Sequence, residues 1–313
     1  MRTLADLGEF GLIERIRRRA GSVAGRDVVL GIGDDAAIVR PRSGEDMVMS
    51  TDACVERVHF DWSIQSPRSI GRRALVANLS DLAAMGARPV GFTCAMAAPP
   101  NLTLHRFDGV LGGLLEEAET WGCPLVGGNL TRASRLQLSI TVLGAVRRGQ
   151  ALRRDGLQSG ARIFVTGVLG ASALDRLRAQ SQGTRLRHVP VPRLMAGRAL
   201  SRKKTRCACI DLSDGLAGDL DHLARASGVG IEINTESLPL PRGFTEGCAR
   251  VGEDPLKVAI TGGEDYELLF GLASDASAAS LGRQLGTLVT EIGVATRQRG
   301  VRGLPAGEAW RHW

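Results

Sequence analysis

Ile210-Asp211-Leu212-Ser213-Asp214-Gly215-Leu216 sets two aspartates on either side of a Leu-Ser pair, and a shorter echo, Leu79-Ser80-Asp81-Leu82-Ala83, stands in the first half of the chain. Each is followed by a double glycine and a polar residue, Gly262-Gly263-Glu264 in one case and Gly127-Gly128-Asn129 in the other. The spacing from Asp214 to Glu264 is 50 residues and from Asp81 to Asn129 it is 48, which fits either two related halves or a chance likeness of short Gly/Asp segments.

Outward from these segments, short β-branched runs alternate with amphipathic stretches. Residues 28–30, 36–39, 47–51, 90–97 and 136–146 read as strands bounded by Gly, Pro, Asp and Ser. Ser66-Pro67 predicts a helix start, with Gly86 and Pro89 stopping it after Met85. A second helix fits 104–121 despite Gly109, Gly112 and Gly113. Beyond a polar Arg/Gly-rich connection at 149–160, a strand is expected at 162–165, helices at 170–179, 193–201 and 215–227, and strands at 230–234, 267–271 and 289–295. At 313 residues the chain is longer than one core usually supports. The expectation is an α+β fold of two domains, 1–150 and 151–313.

The aspartates carry the chemistry. Asp34 and Asp35 follow Gly31-Ile32-Gly33, Asp52 ends a strand, Asp81 sits in an otherwise apolar helix, and Asp211 and Asp214 flank Leu212-Ser213. An isolated carboxylate in such surroundings is costly to desolvate, so these groups call for a cation. No His/Cys cluster accompanies them, and an all-oxygen donor set suits Mg²⁺ or Mn²⁺ rather than zinc. Magnesium held by carboxylates completes its octahedron with phosphate oxygens, and the Gly-rich segments let backbone N–H groups approach such oxygens. Neither a P-loop nor the protein-kinase signatures occur. Gly31-x-Gly33 lacks the third glycine of a dinucleotide fingerprint.

Composition excludes other classes. No run of 18 apolar residues occurs, so a membrane span is not expected, and the first 20 residues lack a signal peptide's apolar region, so a cytoplasmic location is expected. The net charge of +7 has one local source, ten Lys or Arg between 176 and 206 without an acid. That run contains no aromatic residue for base stacking, so it reads as a solvated or phosphate-attracting loop rather than a nucleic-acid face. Cys54, Cys94, Cys123, Cys207, Cys209 and Cys248 form no Cys-x-x-Cys pair and read as buried thiols.

Together the segments resemble a known family. Gly31-Ile32-Gly33-Asp34-Asp35-Ala36-Ala37, Ser50-Thr51-Asp52 with Val58-His59-Phe60, Asn78-Leu79-Ser80-Asp81-Leu82-Ala83-Ala84-Met85-Gly86-Ala87, Ile210 to Leu216, and Gly262-Gly263-Glu264-Asp265-Tyr266-Glu267-Leu268 are similar, in order, to the motifs of the thiamine-monophosphate kinase family of the AIR-synthase-like (PurM-like) superfamily. The resemblance implies a two-domain PurM-like fold of mixed sheets flanked by helices, with N-terminal domains pairing in a homodimer. It implies transfer of the γ-phosphoryl of ATP to thiamine monophosphate, with several Mg²⁺ ions. Carried over, Asp35, Ser50, Thr51, Asp52, Asp81, Asp211 and Asp214 hold metal, and Asn129 falls at a further metal position. Asp52, Asp81 and Asp214 are the catalytic carboxylates. Gly127, Gly128, Arg154 and Ser213 contact ATP; His59, Glu264 and Trp310 contact the thiamine moiety. A thiazolium cation suits an aromatic face and a carboxylate.

Two positions depart from the pattern. Asn129 stands where the family has Asp in Gly-Gly-Asp, and Arg57 replaces a small residue before Val58-His59-Phe60. Other superfamily enzymes share much of this framework: AIR synthase, selenophosphate synthetase and the hydrogenase-maturation carbamoyl dehydratase. The last characteristically ends in a reactive Cys, whereas this chain ends Arg311-His312-Trp313. A catalytically weakened thiamine-phosphate-binding protein is the alternative from another class.

Overall fold

A computed structural model describes residues 2–21, 27–203, 205–273 and 277–305. The chain divides into one unit drawn from Met1–Leu82 and Arg88–Arg148 and another from Ala83–Ala87 and Gly149–Trp313. Each unit combines helices with a mixed sheet, the α+β class expected of the chain.

In the first unit, α1 (Gly8–Ala20) precedes a short antiparallel pair, β1 (Val28–Leu30) and β2 (Ile38–Val39). Next come β3 (Glu45–Val55), α2 (Pro67–Ala84), β4 (Arg88–Ala98), α3 (Leu104–Trp121), β5 (Leu125–Arg132) and β6 (Gln137–Arg147). The sheet order is β3-β6-β4-β5, with only β4 and β5 parallel. Alternate residues on one face, among them Phe92, Cys94, Met96, Leu138, Ile140 and Val142, are buried. The other face leaves Met49 71% exposed and Thr51, Ala53, Ala95 and Asn129 exposed beside it.

The glycines that weaken α3 as a helix explain how it packs. A Cβ at Gly113 would lie 2.0 Å from the Arg68 carbonyl, and one at Gly71 would lie 2.0 Å from that of Val110. The backbones of α2 and α3 therefore touch, a closeness that offsets the cost of about 1 kcal/mol for each helical glycine. Thr103 caps α3, accepting from the Arg106 N–H, and Gly122 ends it in the left-handed region.

The second unit contains β7 (Arg162–Thr166), α4 (Ala171–Gln182), α5 (Leu194–Ser201), β8 (Cys207–Asp211), α6 (Leu216–Ser227), β9 (Gly230–Ile233), α7 (Phe244–Arg250), α8 (Pro255–Thr261), β10 (Leu268–Leu272), α9 (Ala278–Leu285), β11 (Val289–Thr296) and β12 (Gly300–Arg302). Its six strands lie in the order β12-β9-β11-β7-β10-β8. All five residues of β10 are buried, as a central strand covered on both faces requires. Phe164 and Phe270 face each other across β7 and β10, with ring centroids 5.4 Å apart. Just ahead of β10, buried Glu267 accepts from Thr166 Oγ1 at 2.6 Å and from both ends of the Arg193 guanidinium, while its carbonyl accepts from the Leu212 N–H at 2.8 Å.

The structure adds elements that periodicity did not reveal. β5 carries Gly127-Gly128, and α1 is rich in arginine with Leu12 alone fully buried; β8, α7, α8, α9 and β12 are also additional. The Leu-Ser-Asp echo has no common local structure, since Asp81 lies in the last turn of α2 whereas Asp214 lies in the turn before α6. All six cysteines are free, and among the described residues no helix is long and apolar enough to cross a membrane.

Arg193→Met should strand the Glu267 carboxylate and cost about 3–5 kcal/mol. The double variant Arg193→Met/Glu267→Gln, which removes the buried charge and keeps an acceptor for Thr166, should recover much of that loss. Urea denaturation checks the pair; an Arg193→Met variant as stable as the parent contradicts the pinning role.

Candidate active site

The first unit presents its oxygen donors from β3 and α2. Ser50 and Asp52 alternate onto the face paired with Val142 and Ile140, and Ser50 Oγ donates to Asp81 Oδ2 at 2.5 Å. Asp81 lies in the last turn of α2, which has no basic residue there. A carboxylate at a helix C-terminus opposes the macrodipole, so this position favours a cation.

Strand alternation sends the remaining residues elsewhere. Thr51 points to the open face, where its hydroxyl donates to the Ile140 carbonyl and accepts from Thr141, both at 3.0 Å. Asn129 shares that face, because it lies in register with Ala95, Ser139 and Ala53, while Asp52 lies in the neighbouring row with Ile140, Cys94 and Gly128. Asp52 and Asn129 are thus on opposite sides of the sheet. A Cβ at Gly128 would sit 2.1 Å from the Cys94 carbonyl, so only glycine allows this approach of β5 to β4. Gly127, Gly128 and Asn129 also border an apolar cleft with an empty volume of about 520 Å³, walled by Ile13 and Ile16 of α1 and Leu111 and Leu114 of α3. Asp35 lies in an exposed loop after β1, its N–H donating to Asp34 Oδ1 at 2.8 Å.

His59 lies exposed in the turn after β3. Its Nδ1 accepts from the Val55 N–H at 3.2 Å, so the neutral ring carries its proton on Nε2 as a donor. Arg57, two residues before it, takes φ 66°, a conformation strained for any residue with a side chain.

In the second unit, the segment after β8 bends sharply. Asp211 ends the strand and is buried, Ser213 and Asp214 occupy the turn, and Gly215 at φ 103°, ψ 151° opens α6. Such a backbone is open essentially to glycine alone. Inside the first turn of α6 lies Asp219, 2% exposed, whose carboxylate accepts the Asp214 N–H and whose Oδ2 has no hydrogen-bond partner. Burial pushes its carboxyl up to about 8, Asp211 and Asp214 push the same way, and Arg154 pulls back. Sequence reasoning passed over Asp219. Its signal was a charge set within the apolar stripe Leu216, Leu220 and Leu223.

Glu264 lies in the segment that crosses this turn, its N–H donating to the Ser213 carbonyl at 2.7 Å and its carboxylate paired with Arg176 at 2.8 Å. Trp310 lies outside the described residues.

Among the described residues, no three or more His, Cys, Asp or Glu side chains are gathered so as to hold a metal ion. Instead the oxygen donors stand in smaller arrangements: Ser50 bonded to Asp81, and Asp219, which accepts the Asp214 N–H and lies within the electrostatic influence of Asp211 and Asp214. That composition fits Mg²⁺, which is commonly bound through one or two carboxylates with water and substrate phosphates completing its shell. The orphaned Asp219 oxygen and the unfavourable helix-end charge of Asp81 are both relieved by a cation.

Beside Glu264, Asp265 accepts from the Gly170 N–H at 2.8 Å. Burial pushes its carboxyl from 3.8 up to about 7, against the pull of the Gly170 and Ser172 N–H groups. Because the folded value exceeds the unfolded one, this group's contribution to stability is complete below pH about 4 and is lost as pH rises through about 7. Asp265→Asn should therefore gain on the parent in thermal midpoint between pH 5 and pH 8. A constant difference across that range contradicts the shift.

Residues 33–146 match the family described as "AIR synthase related protein, N-terminal domain". A thiamine-monophosphate kinase of Synechococcus elongatus is 36% identical over 314 residues, covering 95% of this chain and 91% of that protein. The crystal structure of thiamine-monophosphate kinase from Stenotrophomonas maltophilia K279a is 37% identical, with a TM-score of 0.82 and coverage of 94% of this chain and 96% of that one. A structure described as "AaThiL complexed with AMPPCP and TMP" is 30% identical, with a TM-score of 0.73 and coverage of 100% and 99%.

Proposed function

This chain belongs to the thiamine-monophosphate kinase family, and from that premise we propose that it transfers the γ-phosphoryl of ATP to the phosphate of thiamine monophosphate, releasing thiamine diphosphate and ADP. The observation that carries the reading is likeness over nearly the whole chain to kinases of that name, beside a relative solved with AMPPCP and TMP. A cytoplasmic location belongs to this reading, since ATP is the donor.

Joining two phosphates requires charge neutralisation and in-line alignment, with no covalent enzyme intermediate. Ser50, Asp52 and Asp81 in the first unit and Asp211 and Asp214 in the second are the residues that would hold Mg²⁺, with Asp35 a further donor and Asp52, Asp81 and Asp214 closest to the chemistry; Thr51 and Asn129, on the opposite face of the sheet, stand apart from Ser50 and Asp52. Magnesium, when bound, supplies positive charge to the transferring phosphate oxygens. Gly127 and Gly128 offer ATP a backbone without side chains, Arg154 a fixed positive charge, and Ser213 a hydroxyl. His59 offers thiamine monophosphate an Nε2 proton, and Glu264 and Trp310 suit its cationic ring.

Asp81→Ala is expected to lower turnover at least about a hundredfold while changing stability by no more than about 1 kcal/mol, because the helix-end charge it removes is itself unfavourable. ADP release with thiamine monophosphate, run beside aminoimidazole precursors and selenide, is the assay. Near-parental turnover at saturating Mg²⁺ removes Asp81 from the machinery, and turnover with another acceptor alone removes the thiamine reading.

The homodimer would use the open face of the β3-β6-β4-β5 sheet. This face is populated by Met47, Met49, Thr51, Ala53 and Ala95, residues small or flexible enough to pack closely. Met49→Asp should convert a dimer to a monomer in sedimentation velocity; an unaltered dimer moves the interface elsewhere.

A further inference from the structure

The segment from Gly262 to Glu267 holds an unusual backbone. Gly263, Glu264 and Tyr266 take φ values of 65°, 58° and 51°, and for Glu and Tyr the left-handed region costs about 1 kcal/mol or more each. Main-chain bonds stitch it to the turn after β8, from the Glu264 N–H to Ser213 and from the Tyr266 N–H to Leu212 at 2.8 Å. These bonds fix the backbone, and the Glu264 carboxylate is gripped from another element.

Helix α4 supplies the direction. Asp265 accepts N–H groups of Gly170 and Ser172 and so anchors the start of α4 to the segment. From the same helix Arg176 reaches back, donating through Nη1 to Glu264 Oε2 at 2.8 Å and through Nη2 to the Gly262 carbonyl at 3.1 Å. One planar guanidinium thus ties the carboxylate of Glu264 to the backbone two residues before it, a geometry that a lysine ammonium does not reproduce. Arg176 and Glu264 are 36% and 29% exposed, so the pair adds little to folding stability.

We propose that Arg176 is a positioning residue for substrate recognition: by holding Glu264 Oε2 it aims the carboxylate, so that the cationic ring of thiamine monophosphate is met from a fixed direction rather than by a charge free to swing. This rests on the reading of Glu264 as a thiamine contact. The low energetic weight of the pair separates this role from a structural one, since a misdirected carboxylate alters KM for one substrate whereas a weakened fold affects both.

The test compares Arg176→Met, Arg176→Lys, Glu264→Gln and the double variant Arg176→Met/Glu264→Gln in the full chain. Arg176→Met is expected to raise KM for thiamine monophosphate about tenfold, with KM for ATP and kcat within about twofold and the thermal midpoint nearly unchanged. Arg176→Lys should restore part of the loss. The double variant should be no worse than Glu264→Gln alone, because Arg176 acts through Glu264. Additive losses, a matching rise in KM for ATP, or an unaltered KM in Arg176→Met while Glu264→Gln is impaired overturns the positioning role alone. An unaltered KM in Glu264→Gln overturns the thiamine reading of Glu264, and the proposal with it.

Discussion

The second unit depends on one buried carboxylate. Glu267 is held by Thr166 from β7 and by Arg193 just ahead of α5, and its own backbone leads into β10 and receives the N–H of Leu212 just after β8. Replacing such a pair with apolar residues is often neutral or stabilising, so its value lies in what it specifies rather than in net energy. Here it specifies register. With Leu268 set opposite Asp211 and Leu269 opposite Val165, the turn carrying Ser213 and Asp214 and the segment carrying Glu264 are bound to cross where they do. Gly167 shows how tightly the group is enclosed, since a Cβ there would fall 1.8 Å from Glu267 Oε1.

In the first unit the corresponding constraint is the two-residue period of a strand. Ser50 and Asp52 share one face because they are two apart, which brings Ser50 to Asp81 of α2, and Thr51 is turned to the open face because it lies between them. A shift of one residue in β3 would exchange these sets. The eleven-residue pairing of β3 with β6, closed at one end by the Arg88 fork onto Asp27 and Glu45, makes such a shift costly.

How far the sequence discloses this depends on whether the signal is local. Ser66-Pro67 marks the start of α2, whose first residue is Pro67, because caps depend on a few neighbouring residues. β5 was not legible, because two glycines in its middle look like a loop until Cys94 is seen lying against Gly128. Asp219 was hidden by its neighbours Asp211 and Asp214, which carried the visible motif. For the site, the oxygen donors could be read by type, but the contact of Ser50 with Asp81 and the division of Asp52 from Asn129 depend on pairings far apart in the chain.

The charge pattern shows the same limit from another side. The chain has 37 Arg and 3 Lys, and its most basic run, without a single acid, reads as a surface seeking an anion. Yet two of its members are paired with carboxylates from elsewhere in the chain, Arg176 with Glu264 and Arg193 with the buried Glu267, while Asp175 takes the backbone N–H groups of Arg187 and His188 at 2.7 Å. A guanidinium can bind two acceptors in one plane, so arginine serves where a loop must be oriented as well as neutralised. The positive run is therefore, in part, the scaffold of an acidic site. Linear charge counting cannot distinguish that from a solvated face, because the compensating acids lie 74 to 88 residues away.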